Sequence, residues 1–362
     1  MNLHVQLRNT AIGSVLALMT GSVAFGGVAL AQDDPAGISY MTFAGYDEPM
    51  FHGDYLETYG GSPSITYFSD EQEGIAKVRG GFNIDVVHVC TDNLQFWRGY
   101  DLIEPLDISK LENWDSVLPS LQDMPGVQED GNLWMIPWDW GFTSVIYRTD
   151  IVSFEEQSFS VLLDPAYAGR VSIQDSIVDV GPTVALMAGA SDPFHLEEDE
   201  YDDWRATMQQ LHQQSRFYWS DPTTLHQAMA SGEIVVALGW PDTVAGMQED
   251  GVPVDIMTEP KEGLLTWVCG LALLKNGEGS SDQAYDFINA MTTASSGQAL
   301  IEEFYLANAN AESYADVDPE HLAALKLDNL EAKLSGARFF EPVDPDTSRR
   351  LITMFEDVKA GL

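Results

Sequence analysis

Basic side chains are scarce in this sequence: 17 Lys and Arg stand against 57 Asp and Glu, a formal charge of −40 over 362 residues. Such an excess repels nucleic-acid phosphates and anionic lipid, so neither is an expected partner. The acids are scattered along the whole length, which reads as a solvated coat suited to salty surroundings, though it also concentrates cations near the surface. The seven His residues are far apart, with no His-Glu-x-x-His and no i, i+4 pair, so metal-ligand spacing is missing. Also missing are the Gly-x-Ser-x-Gly elbow, the phosphate-cradling Gly-x-x-x-x-Gly-Lys-Ser/Thr loop and a Gly-x-Gly-x-x-Gly turn after a strand. No metal and no cofactor is therefore expected. His88, on the apolar stretch "IDVVHV", reads as a satisfied core residue. Cysteine is nearly absent, with Cys90 and Cys269 alone.

Long hydrophobic runs are confined to the start. Arg8 precedes an apolar run over residues 11–28, and Ala29-Leu30-Ala31 supplies the small residues of a cleavage site, which predicts a leader over 1–31 and an exported, periplasmic chain. No Cys follows the run directly, so a lipid anchor is not expected. The remaining length, about 330 residues, exceeds what one core usually organises and favours two lobes.

Within that length, strand-like runs alternate with amphipathic helical patterns. "SITYF", "FNIDVVHV", "LWMIPW", "TSVIYR", "RVSIQD", "EIVVALGW" and "VPVDIMTE" read as strands bounded by Gly, Pro, Asp or Ser. "EYDDWRATMQQLHQQ" and "DQAYDFINAMTTASSGQALIEEF" read as helices. Asp221, Pro222 and Gly232 predict cap, first turn and end of a helix over "PTTLHQAMAS". Strands rich in Val and Ile alternating with helices predict an α/β fold with helices on both sheet faces. In "EGLLTWVCGLALLKN", Trp267 and Cys269 sit two apart on a strand and must share a face.

Aromatic residues gather at strand ends and turns: Phe43 and Tyr46 in "TFAGYDEP", Trp138 and Trp140 in "IPWDWGFTSVIY", then Trp240, Trp267 and Tyr305. Each alone suits core packing. Several converging would wall a cleft that holds alkyl-ammonium groups by cation–π contact, about 0.5–2 kcal/mol per ring.

Over most of its length the chain resembles the spermidine/putrescine-binding periplasmic components of bacterial ABC importers. The likeness is carried by "YMTFAGYDEP", "FNIDVVHVCTDN", "GYDLIEPLDISKLENW", "MIPWDWGFTSVIYRTD", "DPAYAGRVSIQD", "GEIVVALGWPD" and "VPVDIMTEPKEGLLTWVCGLALLKN". The resemblance implies the two-lobed type II periplasmic-binding fold, hinge closure over a solute, and an inner-membrane ABC permease as partner of a monomeric receptor. It allots residues 37–142 and 268–307 to one lobe and 143–267 and 308–362 to the other. It places Phe43, Tyr46, Trp240, Trp267 and Tyr305 on the cleft walls, with Trp140 a further candidate contact from the strand-end aromatic set, and Asp179, with Asp175 beside it, near a solute amine.

Three positions depart from the family pattern. Cys90 and Asp92 stand where Ser and Tyr are usual, and Cys269 stands where polyamine binders place an Asp. A thiol cannot neutralise a buried ammonium, so Asp92, Asp179 or Asp242 would have to do so. The expected solute is a polyamine or related amine, with an amino acid or other zwitterion as alternative. The two cysteines leave two outcomes open. Paired, they close a long loop worth about 5 kcal/mol on the chain-entropy estimate. Free, Cys90 or Cys269 would offer a cleft nucleophile and an enzymatic reading of the same fold.

Overall fold

A computed structural model describes residues 37–124 and 126–362; the expected leader lies outside the described residues. Short apolar runs form the first lobe's strands, β1 (Ser39–Thr42), β2 (Ser64–Tyr67) and β3 (Val86–Cys90), with β1 parallel to both neighbours. Glycine and capping residues stop the helices between them: α1 (Gly53–Tyr59) ends on Gly60 at φ 77°, and α2 (Glu71–Arg79) starts on Asp70, which accepts the Glu73 N–H. Cys90 at the end of β3 leads straight into α3 (Thr91–Gly99).

The two runs "LWMIPW" and "TSVIYR" fuse into one 13-residue strand, β4 (Ile136–Arg148). Pro137 lies within the first run and Gly141 between the two, yet neither interrupts the strand. Pro137 stands opposite Gly270 where the register shifts, and Trp138 is the extra residue of that bulge, where a missing N–H costs no ladder bond. A side chain on Gly270 would meet the Ile136 carbonyl oxygen at 2.1 Å, so only glycine allows this close approach.

The second lobe adds β5 (Val171–Gln174), β6 (Ser215–Trp219), β7 (Val236–Gly239) and β8 (Val254–Ile256), and the chain then returns through β9 (Leu264–Leu274). The strand order is β2-β1-β3-β9-β4-β7-β5-β6. Residues 136–143 of β4 pair with β9, whereas Ser144–Arg148 pair with β7 and β8, so β4 passes from one lobe to the other near Thr143. On β9, Cys269–Leu273 pair with β3, while Leu264–Thr266 pair with β10 (Ala337–Phe339), a further crossing segment.

Packing divides along the same line. One core joins β1, β3, the first half of β4 and the second half of β9 around Trp97, Trp138 and Phe287. In the second lobe Val145, Val236 and Leu238 face one core with Trp204, Met208 and Phe355, and their neighbours Ile146 and Ala237 face another with Leu225, Met229 and Met247. Alternate residues of one strand thus bury on opposite faces, both covered by helices, as the continuous Val/Ile runs predicted.

Within 308–362, Val317, Leu325, Leu327 and Leu334 pack in the first core, while Phe340, Leu351, Phe355 and Val358 pack in the second. The long helix expected over "DQAYDFINAMTTASSGQALIEEF" is two, α4 (Ser281–Met291) and α5 (Ala294–Phe304), because Thr293 turns its hydroxyl to accept the Ser296 N–H and caps a new helix.

Candidate functional site

Five of the expected residues meet where the lobes join. Trp140, Trp240, Asp242, Trp267 and Tyr305 line one narrow, mainly apolar cavity of about 20 Å³, bordered also by Leu325 and Leu327. Trp240 leaves the end of β7 and precedes helix α6 (Pro241–Glu249); its Nε1–H donates to Thr143 Oγ1 at 3.1 Å and Asp179 Oδ1 at 3.3 Å, and its ring meets Trp219 edge-on at 5.3 Å. Trp267 folds over its cross-strand partner Gly141, where a side-chain carbon would come within 2.3 Å of the indole. Trp140 is fully buried and gives its Nε1–H to the Asn308 carbonyl at 3.0 Å, so it presents only ring surface. Tyr305 crosses the gap, donating to Glu249 Oε1 of α6 at 3.1 Å.

Phe43 and Tyr46 do not line this cavity. Phe43 stacks edge-on against Phe68 at 4.5 Å, and Tyr46 lies against the His88 ring at 4.9 Å. Tyr46 is nevertheless tied to the site electrostatically: burial first, then the charges of Asp139 and Asp242, hold its hydroxyl well above the usual tyrosine range.

Four carboxyls around the junction are shifted the same way. Burial lifts Asp179, against the hydrogen bonds from Thr143 (2.7 Å) and Trp240. It lifts Asp242, whose Oδ1 is buried with no partner among the described residues. Asp92 is pushed up to about 6, chiefly by burial and with a contribution from Asp179 across the lobes. Glu71 is held well above its ordinary value by burial and by Asp92, although Cys90 N–H and Trp97 Nε1–H both donate to it, at 2.9 and 2.8 Å. Asp175 turns away and pairs with Lys359 at 2.5 Å.

Sequence reasoning missed Glu71 and Asp139. Asp139 is 1% exposed and accepts from His88 Nε2 at 2.8 Å, with its Oδ2 buried and unpartnered among the described residues. Its signal was a lone acid inside an otherwise apolar strand, a charge whose burial demands a reason. Cys90 and Cys269 are directly opposed on β3 and β9 and form a disulfide across 179 residues. No free thiol remains among the described residues, which removes the nucleophile from the enzymatic alternative.

Matching over residues 64–326, the chain belongs to the bacterial extracellular solute-binding protein family. It is 26% identical over 248 residues to the putrescine-binding periplasmic protein PotF of Escherichia coli (strain K12), a match covering 64% of this chain and 66% of that protein. Its fold is similar to the spermidine/putrescine ABC transporter substrate-binding protein PotD from Streptococcus pneumoniae, with a TM-score of 0.75, 17% identity, and coverage of 89% of this chain and 98% of that one. The Atu4243-GABA receptor superposes with a TM-score of 0.67 and 17% identity over 90% of this chain and 97% of its own. The fold is that of the type II periplasmic-binding proteins.

Proposed function

We propose that this protein captures an amine-bearing organic cation, with polyamines as the leading class, between its two lobes and delivers it to an inner-membrane ABC permease. The observation that carries this reading is the gathering of Trp140, Trp240, Trp267 and Tyr305 around Asp242, whose buried Oδ1 has no partner among the described residues; the cavity between them, about 20 Å³, has room for about one water, so admitting a solute requires the lobes to part. Aromatic faces attract an ammonium group, and an unpaired buried carboxylate lacks the counter-charge that would stabilise it. Nearby, outside the lining of that cavity, Glu71, Asp92 and Asp179 are three more carboxyls whose proton affinity burial raises and whose ionised form a cation would favour. The name of PotF, a putrescine binder, is in keeping with this class. Closure is a population shift driven by contacts to both lobes, with no chemistry on the solute. Export of the mature chain to the periplasm, on the leader expected over 1–31, belongs to the same proposal.

Calorimetric titration with putrescine, spermidine and γ-aminobutyrate tests the reading. The diamine or polyamine should bind, and Asp242→Asn should weaken it by about 10- to 100-fold, the loss of one charge-assisted contact. Binding of none of these solutes, or unchanged affinity in Asp242→Asn, would contradict it.

A further inference from the structure

We propose that a groove between the lobes, beside the crossing segment that follows β10, is a separate ligand site for an amphipathic amine, a single ammonium head on an apolar body. The groove holds about 730 Å³, within the range of small-molecule sites, and shares no lining residue with the aromatic cavity. Both lobes wall it: the start of α2 and one side of α3 from the first, and the helices Ile177–Ala188 and Pro345–Lys359 from the second. A ligand seated here touches both lobes at once.

The apolar body is argued from the walls. Phe96, Tyr100, Val178, Phe194, Phe340 and Ile352 all face the groove. Nine large apolar or aromatic side chains stand exposed among the described residues, and three of them, Tyr100 (44%), Val178 (53%) and Ile352 (45%), line this one groove. Such side chains scattered singly are ordinary, but gathered around a concavity they mark a surface that a ligand covers.

The ammonium head is argued from charge complementarity. Asp70, Glu71, Asp92 and Glu341 line the groove against one basic residue, Arg349, whose guanidinium is already paired with Asp346 at 2.9 Å. The donors to the inner acids are neutral: the Cys90 N–H and the Trp97 Nε1–H for Glu71, and the Asn93 amide at 3.0 Å for Asp92. Burial raises the proton affinity of both carboxyls, so the helix N-termini around them leave their charge under-compensated. An anion placed here would meet like charge, and a neutral apolar molecule would leave the acids as they are. An ammonium group supplies the missing counter-charge while its apolar body covers Val178 and Ile352.

Calorimetric titration of the full-length protein with n-butylamine, n-hexylamine and n-octylamine, and with n-octanol and n-octanoate as neutral and anionic counterparts, tests the site. Affinity should rise by about two- to fourfold per added methylene along the amine series. Octanol should bind about tenfold or more weaker than octylamine, and octanoate should not bind. Asp92→Asn should weaken octylamine by about tenfold. Val178→Ser and Ile352→Ser together should do the same while leaving putrescine titrations as in the wild type, since both side chains are half-exposed and lie outside the aromatic cavity. Asp242→Asn should leave octylamine affinity unchanged, so a failure of the aromatic cavity as a cation site and a failure of this groove read out separately. Octanol binding as tightly as octylamine, affinity independent of chain length, or octylamine binding lowered as much by Asp242→Asn as by Asp92→Asn would overturn the proposal.

Discussion

At the scale of single residues, the site depends on what a few small or acidic side chains permit. Gly141 leaves the space that the Trp267 indole fills. Gly141→Ala should therefore displace the ring, shift tryptophan fluorescence, cost about 1–3 kcal/mol of stability and weaken solute binding; unchanged emission and affinity would mean that the indole has another support. Asp92 makes a pH-dependent prediction. Its folded-state value of about 6 lies above the ordinary carboxyl value of 3.8, so between those pH values the native state holds the extra proton. That contribution to stability is present below the ordinary value and is lost as pH rises through about 6. Asp92→Asn should then stabilise the solute-free protein at pH 7–8 by about 1 kcal/mol, discounted for partial exposure, and by much less at pH 4. A solute cation needs the ionised carboxyl, so affinity should fall by up to about tenfold per pH unit below 6 and level off above it. Calorimetry across pH 4.5–8 on wild type and Asp92→Asn checks both signs.

Among elements, the crossing strands and the segment after α5 connect the lobes. Tyr305 and Lys326 both hold left-handed backbone, at φ 59° and 62°, which non-glycine residues rarely adopt. Each reaches an acid on the second lobe: Tyr305 to Glu249, and Lys326 to Asp255 at 2.9 Å. If the lobes close over a solute as proposed, these contacts would favour the closed arrangement without forming the acidic centre. Glu249→Gln and Asp255→Asn should each lower solute affinity by about two- to fivefold, as expected of half-exposed polar contacts that shift a closing equilibrium. No change in the double variant would remove them from closure. How much of the fold the sequence discloses also shows at this scale. The helix behind Asp221-Pro222 was legible because its punctuation is local, and Asp221 does accept the Thr223 N–H. The fusion of two runs into β4 was not, because the bulge that tolerates Pro137 exists only when β9 lies alongside. The break at Thr293 was hidden because apolar periodicity continues across it.

For the whole molecule, the family likeness read from motifs such as "GEIVVALGWPD" agrees with the matched family and the type II fold. The aromatic residues at strand ends were legible as candidates, and the structure gathers Trp140, Trp240, Trp267 and Tyr305 while leaving Phe43 and Tyr46 half-buried against the first lobe's core. The disulfide could not be decided from spacing, since 179 residues of chain carry no record of the register that sets Cys90 opposite Cys269. The charge of −40 acts on the molecule as a whole. Screening should reduce this self-repulsion, so the melting temperature should rise between about 0.05 and 1 M NaCl, and a flat or falling trend would argue that the acids are already neutralised locally. The most direct test of a cation held between the lobes is a crystal structure grown with putrescine. An ammonium nitrogen about 3 Å from Asp242 Oδ1, with its alkyl chain between Trp240 and Trp267, is the predicted result. A cavity left empty under saturating putrescine, or a diamine bound away from these rings, would contradict it.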